Sequence, residues 1–391
     1  MEIELWWLLA LPGFFILGWI AARIDIKQLV NESRALPHSY FKGLNFLLNE
    51  QPDRAIEAFI EAARIDPETI EMHFALGNLF RRRGETDRAI RVHQNLVDRE
   101  GLDPMQRLQA LSELGQDYLK AGLLDRAEAI FLKLRGTMRD EEALKNLLEI
   151  YQQEKEWAKA IEIAETLPHH ADHLWQREVS EFRCEMAANA ILDGRHDEAR
   201  QLLELALEGN RKCARAMLLL GDLEAKVGAD ETALAHWKRI EQYSPEHVAL
   251  VGERVMEACR RLGRKADGMH LLYGWLERYP SVDLLEILLR AELEEAHLEA
   301  AYQLVRNEMR RNPTLLGLEK FLEAQILVSP VAHRADLELV KNLIHTHTRR
   351  VARYRCNACG FKARQFYWRC PGCGGWETYP PKRTEEFDIT L

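Results

Sequence analysis

Four cysteines crowd into eighteen residues near the carboxyl end of the chain: Cys356, Cys359, Cys370 and Cys373. They form two C-x-x-C pairs, in YRCNACGF and WRCPGCGGW, with ten residues between the pairs. A C-x-x-C segment can fold into a tight knuckle whose backbone amides point at the thiolates. Gly360 and Gly374 follow the pairs, where the chain must turn without Cβ strain. Two knuckles brought together offer four sulfurs at tetrahedral geometry. Thiolates are soft donors, so one zinc or iron ion fits and calcium or magnesium does not. Four ligands leave no open position, which predicts a structural ion. A segment of about 35 residues buries too little surface to fold unaided, and metal binding would supply the missing free energy. Tyr354, Phe361, Phe366, Tyr367, Trp368, Trp376 and Tyr379 offer it a small aromatic core.

Other residues capable of chemistry read more simply. Cys184, Cys213 and Cys259 lie within helical patterns and are expected as small buried hydrophobes. His169, His170 and His173 fit a polar inter-helix loop, because no second Cys/His cluster recurs nearby at ligand spacing. His93 stands at an apolar position of a helix and is expected to be packed or at its edge. The chain carries no G-x-x-x-x-G-K-[ST], H-E-x-x-H, G-x-S-x-G or dinucleotide fingerprint, and nothing in it argues for an enzyme.

The elements that must position the four cysteines come from a repeat. Gly43, Gly77 and Gly115 are each followed twelve residues later by Ala55, Ala89 and Ala127, with a turn between and an apolar helix after. An aromatic stands three residues past each glycine: Phe46, Phe80 and Tyr118. This is the 34-residue tetratricopeptide pattern, in which small residues let two antiparallel helices approach. The first two units are 34 residues apart and the next two 38, which places a short insertion near Asp98–Met105. Tyr151 with Ala160, and Gly194 with Ala199, fit a fourth and a fifth unit. Gly221, Gly228, Ala233, Trp237 and Pro245 make a sixth, and Pro280 and Ala301–Pro313 suggest two more. The segment after Pro313 reads as a capping helix. Such arrays present a concave groove, usually to a peptide or helix of another protein.

Ahead of the repeats, Leu5–Ala22 reads LWWLLALPGFFILGWIAA, eighteen residues without a charge. At 1.5 Å per residue this reaches roughly 27 Å, enough for the hydrocarbon core. Trp6, Trp7 and Trp19 stand near its ends, as interfacial indoles do. Glu2 and Glu4 stand where a cleaved signal peptide would carry basic residues, which favours an uncleaved anchor. Arg23, Lys27 and Arg34 follow it, so the bulk of the chain is expected on the cytoplasmic side.

The whole is therefore expected to be all-α: a transmembrane anchor (1–22), a juxtamembrane linker (23–35), a solenoid of about eight repeats plus a cap (36–348), and a metal module with its tail (349–391). The net charge of −9 over 391 residues hides a contrast. Residues 349–391 hold nine Lys/Arg against four Asp/Glu, a net of +5, which leaves −14 on residues 1–348. From Lys341 to Cys373 there are eight Lys/Arg and no Asp/Glu. That strip could bind phosphates and stack bases, face the acidic repeats, or face an anionic membrane leaflet.

The order of anchor, repeats and a rubredoxin-like four-cysteine module is unusual. With GLNFLLNEQPDRAIEAF, LGNLFRRRGETDRAIRVHQNL, LGQDYLKAGLLDRAE and YRCNACGF…YWRCPGCGGW, the chain resembles the lipopolysaccharide assembly protein B family of Gram-negative bacteria over essentially its whole length. The resemblance implies an inner-membrane adaptor that helps the membrane protease FtsH degrade the LpxC deacetylase and so limits lipopolysaccharide synthesis. It also implies relief by an inner-membrane lipopolysaccharide-sensing protein, and a metal module packed against the repeats. The four cysteines match the family's metal ligands one for one. An RNA-binding or redox regulator acting through the basic module, and a homo-oligomer, stay open as alternatives.

Overall fold

The computed structural model describes Trp19 and residues 38–65, 69–167 and 174–385. Leu5–Ala22, apart from Trp19, and the histidines 169, 170 and 173 lie outside these residues. Among the described residues no helix is long and apolar enough to cross a membrane. The chain divides into two compact units, Met1–Glu154 and Lys155–Leu391.

In the first unit, helices α1 (His38–Leu48) and α2 (Pro52–Ile65), α3 (Ile70–Arg82) and α4 (Thr86–Val97), and α5 (Pro104–Lys120) and α6 (Leu124–Leu134) pack as pairs, followed by α7 (Asp140–Glu154). The close approach is visible at the glycines of the first helices. A Cβ on Gly43 would meet the Phe59 ring at 2.9 Å, and one on Gly115 would meet Phe131 at 2.8 Å. The ring that fills the space beside each glycine therefore comes from the second helix, sixteen residues on. Ala55, Ala89 and Ala127 are fully buried between the helices. At the expected insertion, Asp103 caps α5 by accepting from the Met105 amide at 3.0 Å, and Pro104 opens the helix.

The second unit opens with α8 (Trp157–Thr166). The pairs are α9 (Leu174–Leu192) with α10 (His196–Gly209), α11 (Ala214–Lys226) with α12 (Asp230–Tyr243), α13 (Gly252–Arg261) with α14 (Lys265–Arg278), α15 (Val282–Glu294) with α16 (Leu298–Arg311), and α17 (Leu315–Val328) with α18 (Val331–Val351). A short 3-10 turn, Pro245–Leu250, precedes α13. Gly221 repeats the glycine–ring contact: its Cβ would stand 2.2 Å from Trp237 Nε1. Gly194 differs from the expected role. It sits in the α9–α10 turn at φ 76°, and Ala187, twelve residues before Ala199, takes the buried helix position. One apolar core runs through these helices from Cys184 to Ala324.

The last helix, α18, feeds directly into a three-stranded antiparallel sheet, β1 (Ala352–Arg355), β2 (Lys362–Ala363) and β3 (Thr384–Glu385), ordered β2-β1-β3. The fold is an all-α tetratricopeptide solenoid with this small four-cysteine module at its carboxyl end.

Candidate metal centre

Strand β1 delivers Cys356, and the chain turns through 357–359 back to β2. The first knuckle closes with Cys356 N–H donating to Phe361 O at 3.0 Å and Gly360 N–H donating to Cys356 O at 2.9 Å. The second repeats it: Cys370 N–H donates to Gly375 O at 2.8 Å and Gly374 N–H to Cys370 O at 2.9 Å. Gly360 and Gly374 hold φ of 75° and 71°, a region that side chains strain. The Gly372 amide points at Cys370 Sγ from 3.3 Å. An arginine precedes each knuckle. Arg369 Nε donates to Gly374 O at 3.1 Å, and Arg355 lies against Gly360.

The two knuckles face each other. All four Sγ atoms lie within 4.8 Å of one another, with Cys356–Cys373 at 3.8 Å and Cys359–Cys370 at 3.7 Å. A disulfide needs about 2.05 Å. A tetrahedron around an ion with metal–sulfur bonds of ~2.3 Å has edges of ~3.8 Å. The donor set therefore fits a single four-coordinate ion. Electrostatics agree. Burial works against the Cys356 thiolate, but the Thr378 hydroxyl and the amides of Cys359 and Ala358 bring its pKa down to about 6. At Cys359 the Phe361 amide favours the thiolate, yet burial and the neighbouring thiols push it up to about 12. Four sulfurs at this spacing cannot all ionise unless a cation joins them. Cys356 and Cys370 face inward, and Cys359 and Cys373 are exposed.

The aromatic residues divide in a way the sequence did not reveal. Tyr354 and Tyr379 are buried in the module, with Phe366 and Tyr367 against them. Trp376 instead leaves the module and meets Trp157 of α8 and Phe182 of α9 edge-on, at 6.0 Å and 5.9 Å. Trp368 stacks on His247 of the 3-10 turn at 5.4 Å and 18°. Phe361 is not a core residue at all and is 43% exposed. Arg383 adds an ion pair to Asp283 of α15 at 2.9 Å. The module is thus docked on the helices of its own unit.

Next to Phe182 in α9, Glu181 belongs to a buried polar cluster that sequence reasoning missed. Glu181 pairs with Arg215 at 3.3 Å, Arg215 reaches Glu185 at 2.8 Å, and the Cys184 and Cys213 sulfurs stand 3.7 Å apart. Cys184, Cys213 and Cys259 are all buried, as small hydrophobes would be, but Cys213 lies just ahead of α11 and its thiol faces Glu181. The 34-residue separation of Glu181 and Arg215, one repeat length, was the available signal. In the first unit His93 is fully buried, and its Nδ1 meets Asp117, which also accepts from Arg81 at 2.8 Å. His93 takes the place that Phe59 and Phe131 hold in the neighbouring repeats, sixteen residues after the glycine. That departure from an aromatic was legible; its carboxylate partner was not.

Comparison with known proteins places these features. The rubredoxin metal binding domain family matches residues 354–381, and the tetratricopeptide repeat family matches 42–100 and 190–246. Lipopolysaccharide assembly protein B of Escherichia coli K12 is 34% identical over 97% of this chain and 98% of its own length. The Haemophilus influenzae protein of the same name is 31% identical over 98% and 99%. A solved tetratricopeptide repeat protein from Parabacteroides merdae aligns over 74% of this chain and all of its own, at 15% identity and a TM-score of 0.32.

Proposed function

Because the chain belongs to the lipopolysaccharide assembly protein B family, we propose that it limits lipopolysaccharide synthesis as a non-enzymatic adaptor tethered to the inner membrane. The whole-length likeness to proteins named for lipopolysaccharide assembly carries this reading. A tetratricopeptide family named for assembly agrees with a binding role in place of catalysis. In the proposal, Leu5–Ala22 spans the membrane and the repeats lie on the cytoplasmic side. The repeats present the LpxC deacetylase to the FtsH protease, and a lipopolysaccharide-sensing membrane protein relieves them. The tether supports the reading physically, since confining client and protease to one plane raises their effective concentration. Cys356, Cys359, Cys370 and Cys373 hold one zinc or iron ion, which supplies a cross-link between two short loops. Deleting the gene should lengthen the half-life of the deacetylase; an unchanged half-life and level would refute the adaptor.

The exposure of Cys359 and Cys373 favours one second reading, a one-electron carrier with iron in the site. Stoichiometric zinc, and no iron absorption in protein purified from its own cells, would remove it.

A further inference from the structure

Of the three cysteines outside the metal centre, two touch each other. The Cys184 and Cys213 sulfurs stand 3.7 Å apart, and both residues are fully enclosed. Cys184 lies in α9 and Cys213 just ahead of α11, so the contact joins neighbouring repeats across α10, which comes between them in the chain. Both belong to the apolar core that also holds Ala187, Ala216 and Met217. The Cys213 thiol faces the Glu181 carboxylate at 3.6 Å, and Arg215 holds that carboxylate at 3.3 Å. A metal ion would have to displace the guanidinium for a set of two sulfurs and one carboxylate. The third cysteine, Cys259, is also buried, in α13.

We propose that Cys184 and Cys213 are a redox pair: a peroxide closes them into a disulfide that ties α9 to the start of α11. Hydrogen peroxide oxidises one thiol to the sulfenic acid, its O–O bond breaking and one water leaving. The other sulfur then attacks the sulfenic sulfur. The S–S bond forms, the S–O bond breaks, and the hydroxyl leaves with the second thiol's proton as another water. Two thiols lose two electrons and two protons, all taken up by one peroxide. Closing 3.7 Å to a bond of about 2.05 Å asks each sulfur to move by about 0.8 Å. The neighbouring Cys184 thiol and burial raise the Cys213 pKa well above the usual thiol value, which makes the first step slow. The second is fast, because the two sulfurs are already in contact.

The test treats the full chain, with its metal bound, with increasing hydrogen peroxide. Remaining thiols are alkylated, and each cysteine is read by mass spectrometry after proteolysis. Cys184 and Cys213 should appear joined, with roughly tenfold more oxidation there than at Cys259, and dithiothreitol should restore both thiols. In Cys184→Ala, Cys213 should instead pass on to the sulfinic acid, since no neighbour traps its sulfenic form. Wild type alone decides the proposal. A pair still reduced at a peroxide dose that strips the module's metal overturns it. So does sulfinic acid at Cys213 in the wild type, or a link from either cysteine to the module's four. A second equivalent of zinc, held by the untreated chain and lost in Cys184→Ala, overturns it in favour of metal ligation.

Discussion

Glu181 is wholly enclosed beside Arg215. Burial raises its carboxyl pKa to about 7, against the pull of Arg215 and with a further push from Glu377. A carboxyl raised in the folded state contributes stability that is complete below its unfolded value of 4.5 and is lost as pH rises through about 7. Glu181→Gln removes that loss, while Arg215 keeps Glu185. The variant should therefore gain on the wild type between pH 5 and 8, by about 3 kcal/mol at most. Thermal unfolding curves of both proteins across that range read the gain, and a constant difference in Tm would contradict it. At His93 the neighbouring repeats supply the comparison. His93→Ala should cost about 2–4 kcal/mol through its cavity and the lost Asp117 bond, whereas His93→Phe should cost far less, because Phe59 and Phe131 pack over glycine at the same offset. Urea unfolding that ranks the two variants equally would show that the position is not an aromatic slot. The four cysteines were legible from spacing alone, since two knuckles are local structures. The partners of Trp376 and Trp368 were not, because Trp157, Phe182 and His247 come from distant elements.

At the scale of the helix pair, stability turns on how closely two backbones approach. Gly221 lies under the Trp237 indole with no room for a methyl group. Gly221→Ala should force α11 and α12 apart and cost about 1–3 kcal/mol, the usual range for overpacking. Circular dichroism during thermal unfolding would show it, and an unchanged midpoint would mean the pair yields without strain. The small-residue pattern at 43, 77, 115 and 221 was readable as helix pairing. The partner ring was harder to read, because an aromatic three residues along the same helix suggested itself first.

For the molecule as a whole, the metal module matters through what it docks on. Trp376→Ala removes the edge contacts to Trp157 and Phe182 and should weaken docking by about 3–5 kcal/mol. The four sulfurs are untouched, so the ion should remain at full occupancy while residues 352–385 become sensitive to protease. Cys356→Ser or Cys373→Ser should instead lose the ion and unfold the module. Elemental analysis paired with limited proteolysis separates the cases; retained metal at full occupancy in both cysteine variants would sink the assignment of the site.

The sequence by itself determined what depends on neighbours along the chain: helix pairing at a 34-residue period, the sharp break to a cysteine-rich tail, the two knuckles, and the unequal distribution of charge. Each is written in spacing, and spacing is local. Tertiary structure alone decided which aromatic rings belong to the module and which leave it for the helices. It also decided that His93 and Glu181 find buried partners. These outcomes turn on side chains from separate repeats competing for the same buried space, and no single stretch of sequence contains both competitors.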